Sequence, residues 1–139
     1  NIDDTESSTV VKLFSAPVLD KNTVESIRGR EGDNPEFFKK LINIFIDDCF
    51  ERIDKLKQQL EQEDYIAIVK TAHSIESGCL HVGASRMAKY CEVLSNMARN
   101  QGYAETRRAL QHFIEEFDRV IVEAGRVLNP ESEPAPEPV

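Results

Sequence analysis

Apolar residues recur along this chain at intervals of three and four, the spacing of one face of an amphipathic helix. The longest row is Phe38, Leu41, Ile42, Phe45, Cys49, Ile53, Leu56 and Leu60, a seam for the core of a bundle. Phe37, Ile44, Ile46 and Phe50 widen it, so this helix should meet two neighbours, a short first helix among them. A second row, Tyr65, Ile68, Ala72, Ile75, Cys79 and Val82, ends at Gly83. A third, Met87, Cys91, Leu94, Met97 and Ala98, runs from about Ser85 and stops near Gly102. The last, Leu110, Phe113, Ile114, Phe117, Val120, Ile121, Ala124 and Leu128, predicts a helix from about Glu105 to Leu128. No Val/Ile/Thr alternation of period two marks a strand.

Local signals set the ends of these elements. In "LDKNTVESIRG", Asp20 can cap a short helix, Leu19 and Val24 can staple it, and Gly29 can end it. In "DNPEFF", Asn34 suits the cap and Pro35 the first helical position. Asp64 is placed to cap the third helix. The expected fold is all-α: an antiparallel up-down four-helix bundle with a short extra N-terminal helix across one end. Residues 1–17 read as a linker and 18–128 as the bundle. The Pro- and Glu-rich residues 129–139 read as an extended tail that cannot build a core.

Charge changes this picture little. The net charge is −8. Residues 1–20 supply −3 of it (four acids against Lys12) and Glu131, Glu133 and Glu137 another −3, which leaves −2 between. No basic stripe is available for phosphates, which argues against nucleic acid. No apolar run is long enough to span a membrane. Cys49, Cys79 and Cys91 fall on the predicted core rows and read as buried thiols of a reducing compartment, the cytoplasm. A chain that opens on Asn1 reads as a processed or excised piece.

The stretch "TAHSIESGCLHVGA", residues 71–84, carries the candidate chemistry. His73 follows the core residue Ala72, about 100° around the helix, so it lies beside the buried row. Its neighbours one turn away are Val69, Glu76 and Ser77. Ser77 is small, which leaves the imidazole on an open shelf that a second protein can reach. His81 reads as a helix-end residue and His112 as solvated. Cys79, His81 and Cys91 lack the spacing and the fourth ligand of a metal site.

"AHSIESGCLHVGA" resembles the signature of histidine-containing phosphotransfer (HPt) domains, roughly Ala-His-x-Leu-Lys-Gly/Ser followed by Gly-Ala. Ala72 and His73 match, Ile75 stands for Leu, Ser77 for the small position, and Gly83-Ala84 close the motif. "GDNPEFFKKLINIFIDD" is similar to the family's second helix, and Met87, Cys91, Leu94 and Ala98-Arg99 to the helix after the motif. The resemblance spans residues 18–128. It implies a phosphocarrier of a two-component phosphorelay, as in a bacterial hybrid sensor histidine kinase. His73 would accept a phosphoryl group from a receiver-domain aspartate and pass it to another receiver. It implies no cofactor bound by this domain, since the Mg²⁺ sits on the partner receiver. The partners implied are response-regulator receivers and the rest of a sensor kinase, with no nucleic acid or membrane contact and a monomeric carrier. The isolated domain would be a transfer intermediate and not a self-sufficient enzyme. The expected docking face is Phe37, Ile44, Val69, Ser77 and Leu80.

One position departs from the family pattern. Where the family carries Lys three residues after its histidine, this chain has Glu76. At ~7 Å and an effective dielectric of ~40, a carboxylate there costs a phosphoryl group on the order of 1 kcal/mol. On this ground Glu76→Lys is expected to raise the phosphorylated fraction, with Lys70, one turn before His73, supplying part of the missing charge. The alternative is a degenerate module that docks a receiver or kinase without taking phosphate.

Overall fold

The structure, a computed structural model, describes residues 16–30 and 36–130. Among the described residues five helices follow in order: α1 (Lys21–Gly29), α2 (Phe37–Glu61), α3 (Tyr65–Val82), α4 (Ser85–Arg99) and α5 (Tyr103–Leu128). Among the described residues there is no strand. The links at residues 62–64, 83–84 and 100–102 are so short that successive helices must run antiparallel. α3 packs between α2 and α4, α5 packs between α4 and α2, and α1 lies on α2 and α3. The four-helix bundle with its extra N-terminal helix is thus the observed fold.

The core is made of the predicted rows. Phe38, Ile42, Leu56, Ile68, Ala72, Cys79, Met87, Leu94, Phe113 and Val120 are buried, and each such side chain stabilises the bundle by roughly 1.5–3 kcal/mol if apolar and large. The three thiols, all free, come together from α2, α3 and α4. Burial pushes the Cys49 thiol far up. His81 stays exposed while Cys79 and Cys91 face the core, so these three do not converge on a metal.

The expected widening of the α2 seam needs correction. Phe37, Ile44 and Phe50 are exposed, and only Ile46 packs partly against the core. Phe50 instead stacks edge-on against Phe117 of α5, with centroids 5.1 Å apart. The seam is a single face wide, because α2 lies at the edge of α3 on one side and of α5 on the other.

The caps follow the sequence at α1 and α3. Asp20 accepts from the Thr23 N–H at 3.1 Å, and its bonds to Thr23 hold its carboxyl below the ordinary value. Asp64 accepts from the Ala67 N–H at 3.2 Å. Asn34 and Pro35 lie outside the described residues, as do most of the expected linker and tail. α5 begins at Tyr103, two residues before the expected start, because extended Gly102 forms the cap and Thr106 Oγ1 donates to its carbonyl.

Gly83 does more than end α3. Its φ of 87° is left-handed, which disfavours any side chain. A Cβ there would also stand 3.2 Å from Thr23 and 3.3 Å from the Asp20 carbonyl. The Asp20 N–H donates to the Gly83 carbonyl at 2.6 Å, which ties α1 to the α3–α4 turn. That clamp fixes the end of the helix that carries His73.

A buried charge cluster joins α4 to α5. Arg86 Nε donates to Glu116 Oε1 at 3.1 Å, and Arg119 reaches the same oxygen at 3.1 Å. Glu116 is fully buried and Arg86 nearly so. Burial raises the Glu116 carboxyl above its ordinary value, while Arg119 and Arg86 pull it back.

Candidate functional site

The face built around His73 follows from helix geometry. On α3, residues seven apart differ by only about 20°. Ile66, His73 and Leu80 therefore form one outward line, flanked by Val69 and Ser77. Ile66 and Leu80 are exposed, Val69 is half-buried, and Ser77 is exposed. The His73 side chain is 53 % exposed in the middle of this line. The core residues Ala72, Ile75 and Cys79 lie behind it.

α2 supplies the second half of the face. Gly78 lets α2 come close: a Cβ there would stand 3.2 Å from the Phe45 ring. Phe45 thus marks the side of α2 that meets α3, and Phe50 marks the side that meets α5. Ile44 and Phe37 sit on the flank of Phe45 away from Phe50, seven residues apart and so on one line. Both are exposed, at 69 % and 41 %. The structure therefore brings Phe37 and Ile44 to the flank of α2 that borders α3, while Val69, Ser77 and Leu80 line α3 itself.

Arg99, the last residue of α4, completes the site. Its Nη2 lies 2.8 Å from His73 Nε2, and its Nη1 donates to Asn96 Oδ1 at 3.2 Å. Sequence reasoning did not assign Arg99 a role at the imidazole, because 26 residues separate the two. Only the α3–α4 packing brings them together. The "Ala98-Arg99" likeness in the α4 helix was the available signal. Lys70 is exposed one turn away, and it shares with Arg99, Tyr65, Ile66, Val69, Ala98 and Gln101 an open groove of about 320 Å³ between α3 and α4.

Glu76 differs from expectation in its surroundings. Its side chain is only 22 % exposed, and its Oε2 lies 3.6 Å from His73 Nδ1. The imidazole thus stands between a carboxylate on its Nδ1 side and a guanidinium on its Nε2 side. A guanidinium can only donate, so the contact at 2.8 Å requires a lone pair on Nε2. A nitrogen lone pair on an exposed ring is a nucleophile. Arg99 beside it is a ready partner for anionic oxygens, since guanidinium bonds to phosphate are strong and directional. His112 is exposed, with Glu115 at 3.7 Å, and has no such setting. Among the described residues no group of three or more His, Cys, Asp or Glu side chains is placed to hold a metal ion.

Known proteins share the sequence pattern and the fold of this chain. The profile of the Hpt domain family matches residues 40–123. Histidine-containing phosphotransfer protein 1 of Arabidopsis thaliana is 22 % identical over 107 residues, covering 76 % of this chain and 70 % of that protein. The crystal structure of histidine-containing phosphotransfer protein B from Pseudomonas aeruginosa superposes with a TM-score of 0.74 at 28 % identity, over 83 % of this chain and 97 % of that one. The Saccharomyces cerevisiae phosphotransfer protein Ypd1, in a co-crystal with the receiver domain of its downstream response regulator Ssk1, has the same fold. Its TM-score is 0.76 at 17 % identity, over 81 % of this chain and 95 % of Ypd1.

Proposed function

The chain belongs to the Hpt domain family, and from that premise we propose that it is a phosphocarrier of a two-component phosphorelay, with His73 as the phosphoacceptor. The observation that carries the proposal is the half-exposed imidazole whose Nε2 meets Arg99 at 2.8 Å, in the middle of an open face. The partner is a response-regulator receiver domain, the kind of partner with which Ypd1 was crystallised. A monomeric carrier, free or fused to a sensor kinase, suffices. No helix among the described residues is long and apolar enough to cross a membrane. The cytoplasm, which keeps Cys49, Cys79 and Cys91 reduced, fits the setting.

In this reading the receiver brings an aspartyl phosphate and Mg²⁺, and this chain brings the nucleophile and one cation. Phosphoryl transfer rests mainly on positioning and charge stabilisation. Phe37, Ile44, Val69 and Leu80 hold the receiver, and Ser77 leaves room for it. As phosphate nears Nε2, Arg99 gives up the ring nitrogen and bonds the phosphoryl oxygens. It thereby fills the electrostatic role of the family lysine, and Lys70 adds to the positive field from one turn away.

Two outcomes follow. Arg99→Ala should lower the steady-state level of phosphorylated domain by about ten- to a hundredfold, the loss of one charge-assisted bond of about 1.5–3 kcal/mol, and Arg99→Lys should recover part of it. Equal levels in wild type and Arg99→Ala would remove Arg99 from the site. Ser77→Arg should weaken receiver binding by about tenfold or more through a steric clash, with stability within about 0.5 kcal/mol of wild type. Titration of a labelled receiver checks this, and an unchanged affinity would put the docking face elsewhere.

A further inference from the structure

Glu76 occupies the position where charge repulsion predicts harm, yet it faces the wrong side of the ring to do it. Its carboxylate is 3.6 Å from Nδ1, while the lone pair that would take the phosphoryl group is on Nε2, at Arg99. The phosphoryl group would therefore sit across the ring from the carboxylate. Coulomb energy falls with distance, so Glu76 acts more strongly on the ring than on the phosphate.

From this geometry we propose that Glu76 is a positioning residue: with Arg99 it holds His73 as the tautomer protonated on Nδ1, leaves the lone pair on Nε2, and stabilises the positive ring that forms on transfer. This rests on the carrier reading for its transfer step, but not for the tautomer.

Two independent contacts drive the tautomer the same way. The negative charge beside Nδ1 favours a proton there. The guanidinium beside Nε2 cannot accept a proton-bearing nitrogen as its partner. At 3.6 Å the carboxylate acts through its charge and not through a full hydrogen bond. Its half-buried position keeps water from screening it as fully as an exposed pair.

The Nε2 lone pair attacks the phosphorus of the partner's aspartyl phosphate. An N–P bond forms while the P–O bond to the aspartate breaks, and the carboxylate leaves with the electron pair. The Nδ1 proton stays on the ring, which becomes a cation. Glu76 lies beside that developing charge, the role a carboxylate plays toward imidazolium in a catalytic triad. Arg99 meanwhile bonds the phosphoryl oxygens. The two charges flanking the ring thus serve opposite ends of one step. The sign expected for Glu76→Lys from repulsion alone is reversed, because a lysine would place a cation next to the cationic ring.

Nitrogen-15 NMR of the His73 ring, at a pH where the ring is neutral, tests the tautomer without any phosphate. Wild type should show the proton on Nδ1. Glu76→Ala, Glu76→Gln and Glu76→Lys should all move it toward Nε2, Glu76→Lys furthest, because each removes the negative charge beside Nδ1. The rate of phosphate uptake from a receiver charged with acetyl phosphate and Mg²⁺ should fall about tenfold in Glu76→Ala and Glu76→Gln, and further in Glu76→Lys. A wild-type ring protonated on Nε2, or faster uptake by Glu76→Lys, would overturn the proposal. A ring protonated on Nδ1 only while Glu76 is present upholds the tautomer role even where no receiver delivers phosphate, an outcome that tells against the carrier reading alone.

Discussion

His73→Gln is expected to abolish phosphate uptake while leaving the helical circular dichroism signal unchanged. Glutamine keeps an amide of similar size on the exposed face but offers no basic nitrogen. The ring that Arg99 contacts is that of His73; His112 on α5 faces Glu115 instead, and His81 is an exposed residue at the end of α3. Because the His73 side chain is 53 % exposed, the substitution should change stability by no more than about 0.5 kcal/mol. Uptake by the mutant at the wild-type rate would refute the assignment.

Glu116→Ala should have the largest effect on stability, a loss of about 3–5 kcal/mol. Glu116 is fully buried, and its Oε1 takes bonds from both Arg86 and Arg119. Truncation leaves the Arg86 guanidinium, itself nearly buried, without its carboxylate. The α4–α5 pairing that it crosses also positions Arg99 at the far end of α4. A paired substitution, Arg86→Met with Glu116→Leu, removes both charges and should recover most of the loss, since an apolar replacement of a buried pair is often neutral. Urea midpoints of the three proteins decide it. A Glu116→Ala midpoint close to wild type would mean that the cluster contributes little.

The contrast between these two sites shows what the sequence made legible. His73 could be placed because it adjoins a periodic row: Ala72 and Ile75 fix the buried side of α3, so the next position must face outward. The helix order and the Asp20, Asp64 and Gly83 boundaries were readable for the same kind of local reason. Arg86 and Glu116 were not. Each sits one position from a core residue, Met87 or Phe117, where charge normally marks the solvated edge. They are buried because they satisfy each other across 30 residues, and pairing at that range leaves no periodic trace. Arg99 escaped for the same reason. As members of the core seam Phe37, Ile44 and Phe50 show the opposite error, although Phe37 and Ile44 were also read as residues of an outward face. Apolar side chains at the rim of a helical stripe look like core, yet on α2 they remain in solvent. The position of Glu76 was plain from sequence, but which ring nitrogen it faces depends on a side-chain direction that spacing does not specify.

The central claim is that the imidazole of His73 carries the phosphoryl group. The most direct measurement is to mix the wild-type chain with a receiver domain charged with acetyl phosphate in Mg²⁺, and to map the transferred phosphate by mass spectrometry and phosphorus-31 NMR. The account predicts one acid-labile, base-stable phosphoramidate, on His73 and at its Nε2. Phosphate on another residue, or a receiver that binds the face around Ile44 and Leu80 yet transfers nothing, would contradict it.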